Sequence, residues 1–262
     1  MERRRELEGK VLFLAGVGPQ MGSATALIAA REGARVALAA RSSALSEKLA
    51  GEIRAAGGQA VSLQCDLTNQ GSLQSAVETA VSTLGPIDCV FYNAGFYDNA
   101  NSSIEIDDAL WQTTMDVNLN GAVALSRLTI PSMIARGGGS FVFNSSAASL
   151  VAGQVRFGYQ VAKAGVNALT RFIAAKYGRH GIRANATLPF VVGGEVGAVA
   201  GSQNCIGRSG TAEEIGEAIV FLLSDRASII TGQVIHLDGG LFSRASWPTN
   251  AAPYQPPPIS RS

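Results

Sequence analysis

Short, almost wholly apolar runs alternate along the chain with longer segments in which apolar residues recur every three or four positions. The short runs are Val11–Ala15, Arg35–Ala40, Ala60–Gln64, Ile87–Tyr92, Ser140–Asn144, Arg183–Leu188 and Gln233–Leu237. Continuous apolar runs of this length read as strands covered on both faces, as in a parallel sheet buried between helices. The segments between them, Ser23–Glu32, Ala44–Ala56, Ser72–Leu84, Asp107–Ile134, Gly158–Tyr177 and Ala212–Leu223, carry the helical spacing. Strand and helix in strict alternation predict an α/β fold: a seven-stranded parallel sheet with helices on both faces. Glycines at Gly33, Gly57, Gly85, Gly137 and Gly178 fall just past helical segments, where a residue that tolerates φ > 0 closes a helix.

Composition narrows this picture. The 262 residues suit one domain, expected over residues 1–247, because parallel α/β units of about 250 residues are common as single domains. Residues 248–262 break the pattern with five prolines, and are expected to form an extended tail or an arm on a neighbouring subunit. A hydrophobic share of 47% against 16% charged residues excludes global disorder. A net charge of +1 removes the electrostatic footprint of a nucleic-acid or membrane-surface binder, so a small-molecule partner is expected. No run approaches the roughly 18 apolar residues of a membrane span. Cys65, Cys89 and Cys205 are odd in number and lack metal or redox spacing, which fits a reduced, cytoplasmic compartment and no metal site.

Candidate chemistry begins after the first predicted strand, at Ala15-Gly16-Val17-Gly18-Pro19-Gln20-Met21-Gly22. Glycines at a strand-to-helix turn let the backbone approach a pyrophosphate, whose charge the helix N-terminus stabilises. A plain tight turn is the alternative, since Met21 breaks the common G-x-G-x-x-G spacing. The second strand ends in Ala39-Ala40-Arg41-Ser42, without the acid that would bond a free ribose 2′-hydroxyl. Arg41 offers a guanidinium for a 2′-phosphate instead, favouring NADP with NAD as the other candidate. Asp66 either accepts from an adenine amino group or caps the next helix. Asn93-Ala94-Gly95 follows the fourth strand at the same sheet edge, where ligands of such folds collect.

Tyr159 and Lys163 are four residues apart in a helical segment, so phenol and ammonium share a face. Bringing a phenol from about 10 to about 7 takes roughly 4 kcal/mol, which an ammonium and a cationic ring could supply together. Tyr159 could then exchange a proton with an alcohol or ketone.

On this pair the chain resembles the short-chain dehydrogenase/reductase family, over about residues 8 to 242. Ser146, thirteen residues before Tyr159, matches the serine that in the family bonds the substrate oxygen, and Asn118 matches the asparagine that holds a relay water with the lysine. Asp66-Leu67, Asn93-Ala94-Gly95, Gly207–Gly210, Thr231-Gly232-Gln233 and Asp238-Gly239-Gly240 match as well. The resemblance implies a single Rossmann-type, doubly wound domain and a homotetramer or homodimer packed through Asp107–Ile134 and Gly158–Tyr177. It also implies hydride transfer between NADP(H) and a secondary alcohol or ketone. Tyr159 would move the proton, Lys163 would lower its pKa, Ser146 would polarise the carbonyl and Asn118 would lead to water.

The family's pattern is broken in three places. Ala15 and Gln20 stand where the first turn has a threonine and its middle glycine. Phe190 and Gly194 replace a glycine and a threonine near the carboxamide, which leaves the Val192 backbone to meet it. Only seventeen residues separate Pro189 from Gly207, so a glycine-rich, flexible lid is expected over 193–206. These departures keep open a second reading, a non-catalytic nucleotide-binding or structural relative with a decayed cofactor turn.

Overall fold

A computed structural model of the chain describes residues 5–99, 102–150, 156–190 and 204–243. Val192, the tail 248–262 and most of the expected lid therefore lie outside the described residues. Seven strands, β1 (Val11–Ala15), β2 (Arg35–Ala40), β3 (Gln59–Gln64), β4 (Cys89–Tyr92), β5 (Gly139–Asn144), β6 (Ile182–Pro189) and β7 (Val234–Leu237), form one sheet in the order β3-β2-β1-β4-β5-β6-β7. Every neighbouring pair is parallel. Among the described residues the α-helices are α1 (Met21–Arg31), α2 (Ser43–Ala55), α3 (Gln70–Leu84), α4 (Asp108–Met115), α5 (Gly121–Ala135), α6 (Phe157–Tyr177) and α7 (Ala212–Leu223).

Alternate residues of each central strand feed opposite sides of the sheet. Phe13, Val90 and Phe141 pack with Leu73 of α3, Leu125 of α5 and Val166 of α6. Leu12, Leu14 and Phe91 pack with Ile28 of α1, Ile53 of α2 and Ile219 of α7 on the other face. Burying such a side chain stabilises by about 1.5–3 kcal/mol, which is why these strands carry no polar alternation. The chain runs one way from β1 to β2 and β3 and the other way to β4, so strand order reverses between β1 and β4. Pairing of Ala15 with both Ala39 and Tyr92 brings the carboxyl ends of β1, β2 and β4 level there. A crevice opens at such a reversal.

The expected helix over Asp107–Ile134 is in fact two helices joined by a π turn, Asp116–Asn120. Tertiary bonds cause the break. The Tyr92 hydroxyl donates to Val117 O (2.7 Å), and Asn118 Nδ2 donates to Phe96 O (2.8 Å) as well as to Thr114 O (2.9 Å). Asp107 is the cap before α4, accepting from Ala109 N and Leu110 N. β4 is also shorter than expected. Ile87 and Asp88 precede it, and the Asp88 carboxylate accepts from Val11 N (2.9 Å) and pairs with Arg136 (3.1 Å). At the far end of the lid segment, Asn204 is buried, donates to Arg208 O and accepts from Gly207 N.

Candidate active site

A cavity of about 610 Å³ lies at the carboxyl edge of the sheet. Gly16, Gly18, Gln20, Met21, Gly22, Arg41, Asp66, Leu67, Asn93, Ala94, Gly95, Tyr159 and Lys163 all line it. Gly16 has φ +89°, and a Cβ there would lie 2.5 Å from the backbone of Ala94. The turns after β1 and β4 are thus packed backbone against backbone, and only glycine fits. Asn93 Nδ2 donates to Gly16 O (2.8 Å) and locks the same contact. The N-terminus of α1 opens into the cavity with no acidic residue in its first turn and no side-chain cap from Gln20. Such an end favours an anion, so the cradle suits a dinucleotide pyrophosphate. Gln20, in place of the family's glycine, is exposed on the rim rather than buried under the turn.

Arg41 is exposed at the end of β2 and forms no ion pair among the described residues. Asp66 Oδ1 accepts from Thr68 N (2.9 Å) and Thr68 Oγ1 (2.8 Å). Those bonds hold the carboxyl below its usual range, with a smaller contribution from the Arg41 charge. The cap of α3 is Asn69, which accepts from Ser72 N, so that alternative for Asp66 is corrected.

Tyr159 and Lys163 occupy the first two turns of α6, both essentially buried. Lys163 Nζ donates to Asn144 O (2.7 Å) and sits 5.4 Å from the centre of the Tyr159 ring. Burial pulls its ammonium down to about 7. Burial also pushes the Tyr159 phenol up, and the neighbouring Tyr97 adds to this. A hydrogen bond with Ser146 and the charge of Arg156 oppose them less strongly. The expectation that Lys163 lowers this phenol is therefore not met by the protein groups alone. Its ammonium lies over the ring and bonds a main-chain carbonyl instead of the phenolic oxygen. Tyr159 keeps its proton at neutral pH.

Ser146 precedes a short 3₁₀ turn, Ala147–Ser149, where its Oγ accepts from Ala148 N (3.2 Å). That turn holds the hydroxyl beside Tyr159. Asn118 is fully buried; its amide protons go to Phe96 O and Thr114 O, and its oxygen accepts from Phe96 N (3.2 Å). It clamps the loop after β4 to the π turn. Asn93 and Asn144 are also joined, Nδ2 of Asn144 donating to Asn93 Oδ1 (3.2 Å).

Sequence reasoning missed the groups this loop brings to α6. The Asp98 carboxylate, 3% exposed, accepts from Gly158 N (2.9 Å) and from Ser102 Oγ (2.6 Å), while Ser102 Oγ accepts from Phe157 N (2.6 Å). Together they cap the helix one residue before Tyr159. Tyr97 lies against Tyr159 with ring centres 4.7 Å apart. Loss of a buried charged cap typically costs about 2 kcal/mol. Asp98→Ala is expected to lower stability by about that amount in urea denaturation, whereas Asp98→Asn retains an acceptor and most of the stability.

The sheet order, the glycine turn and a tyrosine–lysine pair in one cavity define a dinucleotide-binding oxidoreductase architecture. A family model described as enoyl-(acyl carrier protein) reductase matches residues 16–242. Cyclohexanol dehydrogenase of Acinetobacter sp. (strain SE19) is 34% identical over 246 residues, spanning 91% of this chain and 97% of the relative. L-rhamnose 1-dehydrogenase (NAD(P)(+)) of Sphingomonas sp. (strain SKA58) is 33% identical over 248 residues, 90% and 97% of the two chains. The solved structure of a 7α-hydroxysteroid dehydrogenase complexed with NADH and 7-oxo glycochenodeoxycholic acid superposes with a TM-score of 0.84 at 28% identity, covering 90% of this chain and 96% of that one. The chain belongs to the short-chain dehydrogenase/reductase family, whose members are NAD(P)-dependent oxidoreductases.

Proposed function

We propose that the protein interconverts a secondary alcohol and its ketone with NADP(H), and that Tyr159 carries the proton. The observation that carries this reading is the meeting, in one cavity, of the glycine cradle, an uncommitted Arg41 and the buried Tyr159–Lys163 pair. When bound, the nicotinamide dinucleotide supplies or accepts the hydride. The turn Gly16–Gly22 and the α1 N-terminus would hold its phosphates, and Arg41 its 2′-phosphate.

On the substrate side, Ser146 and Tyr159 present two hydroxyls to one oxygen. A protonated phenol is the form a ketone needs from a general acid, so the raised pKa of Tyr159 suits reduction. In the reverse direction the phenol must first lose its proton, so alcohol oxidation is expected to quicken as pH rises. Lys163 sits where its charge, returned by bound hydroxyls, would ease that loss. Two of the relatives are named for alcohols on rings, cyclohexanol and a hydroxysteroid, and a ring alcohol or ketone is the first substrate to try. For the oligomer expected of the chain, α5 and α6 leave Leu128, Val161 and Phe172 exposed.

Initial rates with cyclohexanone and either reduced cofactor test the reading, and a protein inert with both on a panel of ketones would refute it. A charged hydrogen bond contributes about 1.5–3 kcal/mol. Arg41→Ala is therefore expected to weaken NADPH binding about 10- to 100-fold and NADH binding far less, as read by fluorescence titration. Equal weakening of both would remove Arg41 from phosphate recognition.

A further inference from the structure

Beside Tyr97, which lines the cavity together with Tyr159, stands a cation that no ion pair among the described residues neutralises. Arg156 is the residue before α6, three positions ahead of Tyr159. Its guanidinium carbon lies 4.7 Å from the centre of the Tyr97 ring, and the Tyr97 ring lies 4.7 Å from that of Tyr159. Its charge also lowers the Tyr159 phenol slightly. Arg156 Nε is buried yet makes no hydrogen bond.

Asp98, whose carboxylate accepts from Gly158 N two residues beyond Arg156, does not serve it. One carboxylate oxygen is committed to Ser102 and the start of α6, the other has no partner, and no ion pair joins Asp98 to Arg156. A buried guanidinium N–H without an acceptor is unfavourable, and a carboxylate, with two oxygens in a plane, is the acceptor a guanidinium fork matches best. Tyr97, 59% exposed and lining the cavity, offers its ring between Arg156 and the cavity wall at Tyr159.

We propose that Arg156 and Tyr97 form a subsite for a carboxylate carried by the substrate, a few carbons from the carbonyl that faces Ser146 and Tyr159. The preferred substrate class is thus a hydroxy acid and its keto acid, not a neutral ketone. This rests on the proton-transfer role given to Tyr159, and the test separates the two claims.

The first arm compares kcat/KM for 4-oxocyclohexanecarboxylate and its methyl ester. The wild type is expected to prefer the carboxylate by at least 10-fold, and Arg156→Gln to reduce that preference to near unity. A wild type indifferent to the charge, or a variant that keeps the preference, overturns the subsite. The second arm needs no turnover. The Arg156 Nε–Hε NMR signal, assigned by its loss in Arg156→Gln, is followed during titration with cyclohexanecarboxylate and, separately, cyclohexanecarboxamide. A saturable shift with the acid alone supports the subsite even if every ketone proves inert, which would sink the dehydrogenase reading only. No shift with the acid overturns the subsite even if neutral ketones are reduced rapidly.

Discussion

Tyr159→Phe is expected to lower kcat about a hundred- to ten-thousand-fold, the range that a positioned acid or base contributes. The substitution removes one oxygen and leaves the ring, whose packing against Tyr97 at 4.7 Å persists. Folding is expected to survive, because the lost hydroxyl is itself a buried polar group bonded only within the site. Cofactor affinity is expected to change little, since the phosphate cradle lies on α1 and the turns after β1 and β4. Stopped-flow reduction of a ketone, alongside a cofactor titration, reads both quantities. A variant that retained more than half of the wild-type rate would take the phenol out of the chemistry.

Lys163→Met is expected to produce a protein that is more stable at neutral pH and at least about a hundredfold less active. The activity loss follows from removing the one cation that faces the Tyr159 ring from within α6. The stability gain follows from linkage. The lysine has its ordinary value of 10.5 in the unfolded chain and about 7 in the fold. Between those values the unfolded chain binds more protons, so wild-type stability rises with pH through this window and falls as pH drops toward 7. The gap, at about 1.36 kcal/mol per pH unit, sets a ceiling of roughly 4–5 kcal/mol, which the bond to Asn144 O reduces. Methionine fills the aliphatic stem without the charge. Cys65 and Cys89, pushed up to about 11 by burial, act in the opposite sense above pH 9 in both proteins, so the readout is the difference between them. Urea denaturation at pH 7 and pH 10 should show the advantage of the variant shrinking at the higher pH. Parallel behaviour of the two proteins would show that Lys163 does not titrate in this range.

What the sequence made legible was whatever is written locally. β1, β2 and α7 have the bounds expected of them, because an apolar run between turn residues has only one way to be buried. The Tyr159–Lys163 pair was equally open to reading, since spacing on a helix fixes a shared face. The break at Asp116–Asn120 was not, because 107–134 is helical in composition throughout. Bonds from Tyr92, 25 residues before its acceptor Val117, and from Asn118 to the loop after β4, 22 residues back, impose it. Asp98, Ser102 and Tyr97 were missed for the same reason: their partners lie some sixty residues on, and no period links 98 to 158. The direction of the Tyr159 shift escaped as well. Burial outweighs a nearby cation here, and burial is a property of the packed chain, not of the spacing.

Three bonds in series, Asn93 to Gly16, Asn144 to Asn93 and Lys163 to Asn144, tie the phosphate end of the cavity to the lysine. Floor and back wall therefore form one braced chassis. Tyr97 lines the same cavity outside that bracing, with Arg156 against its ring, so a change at either residue leaves the three bonds underneath untouched.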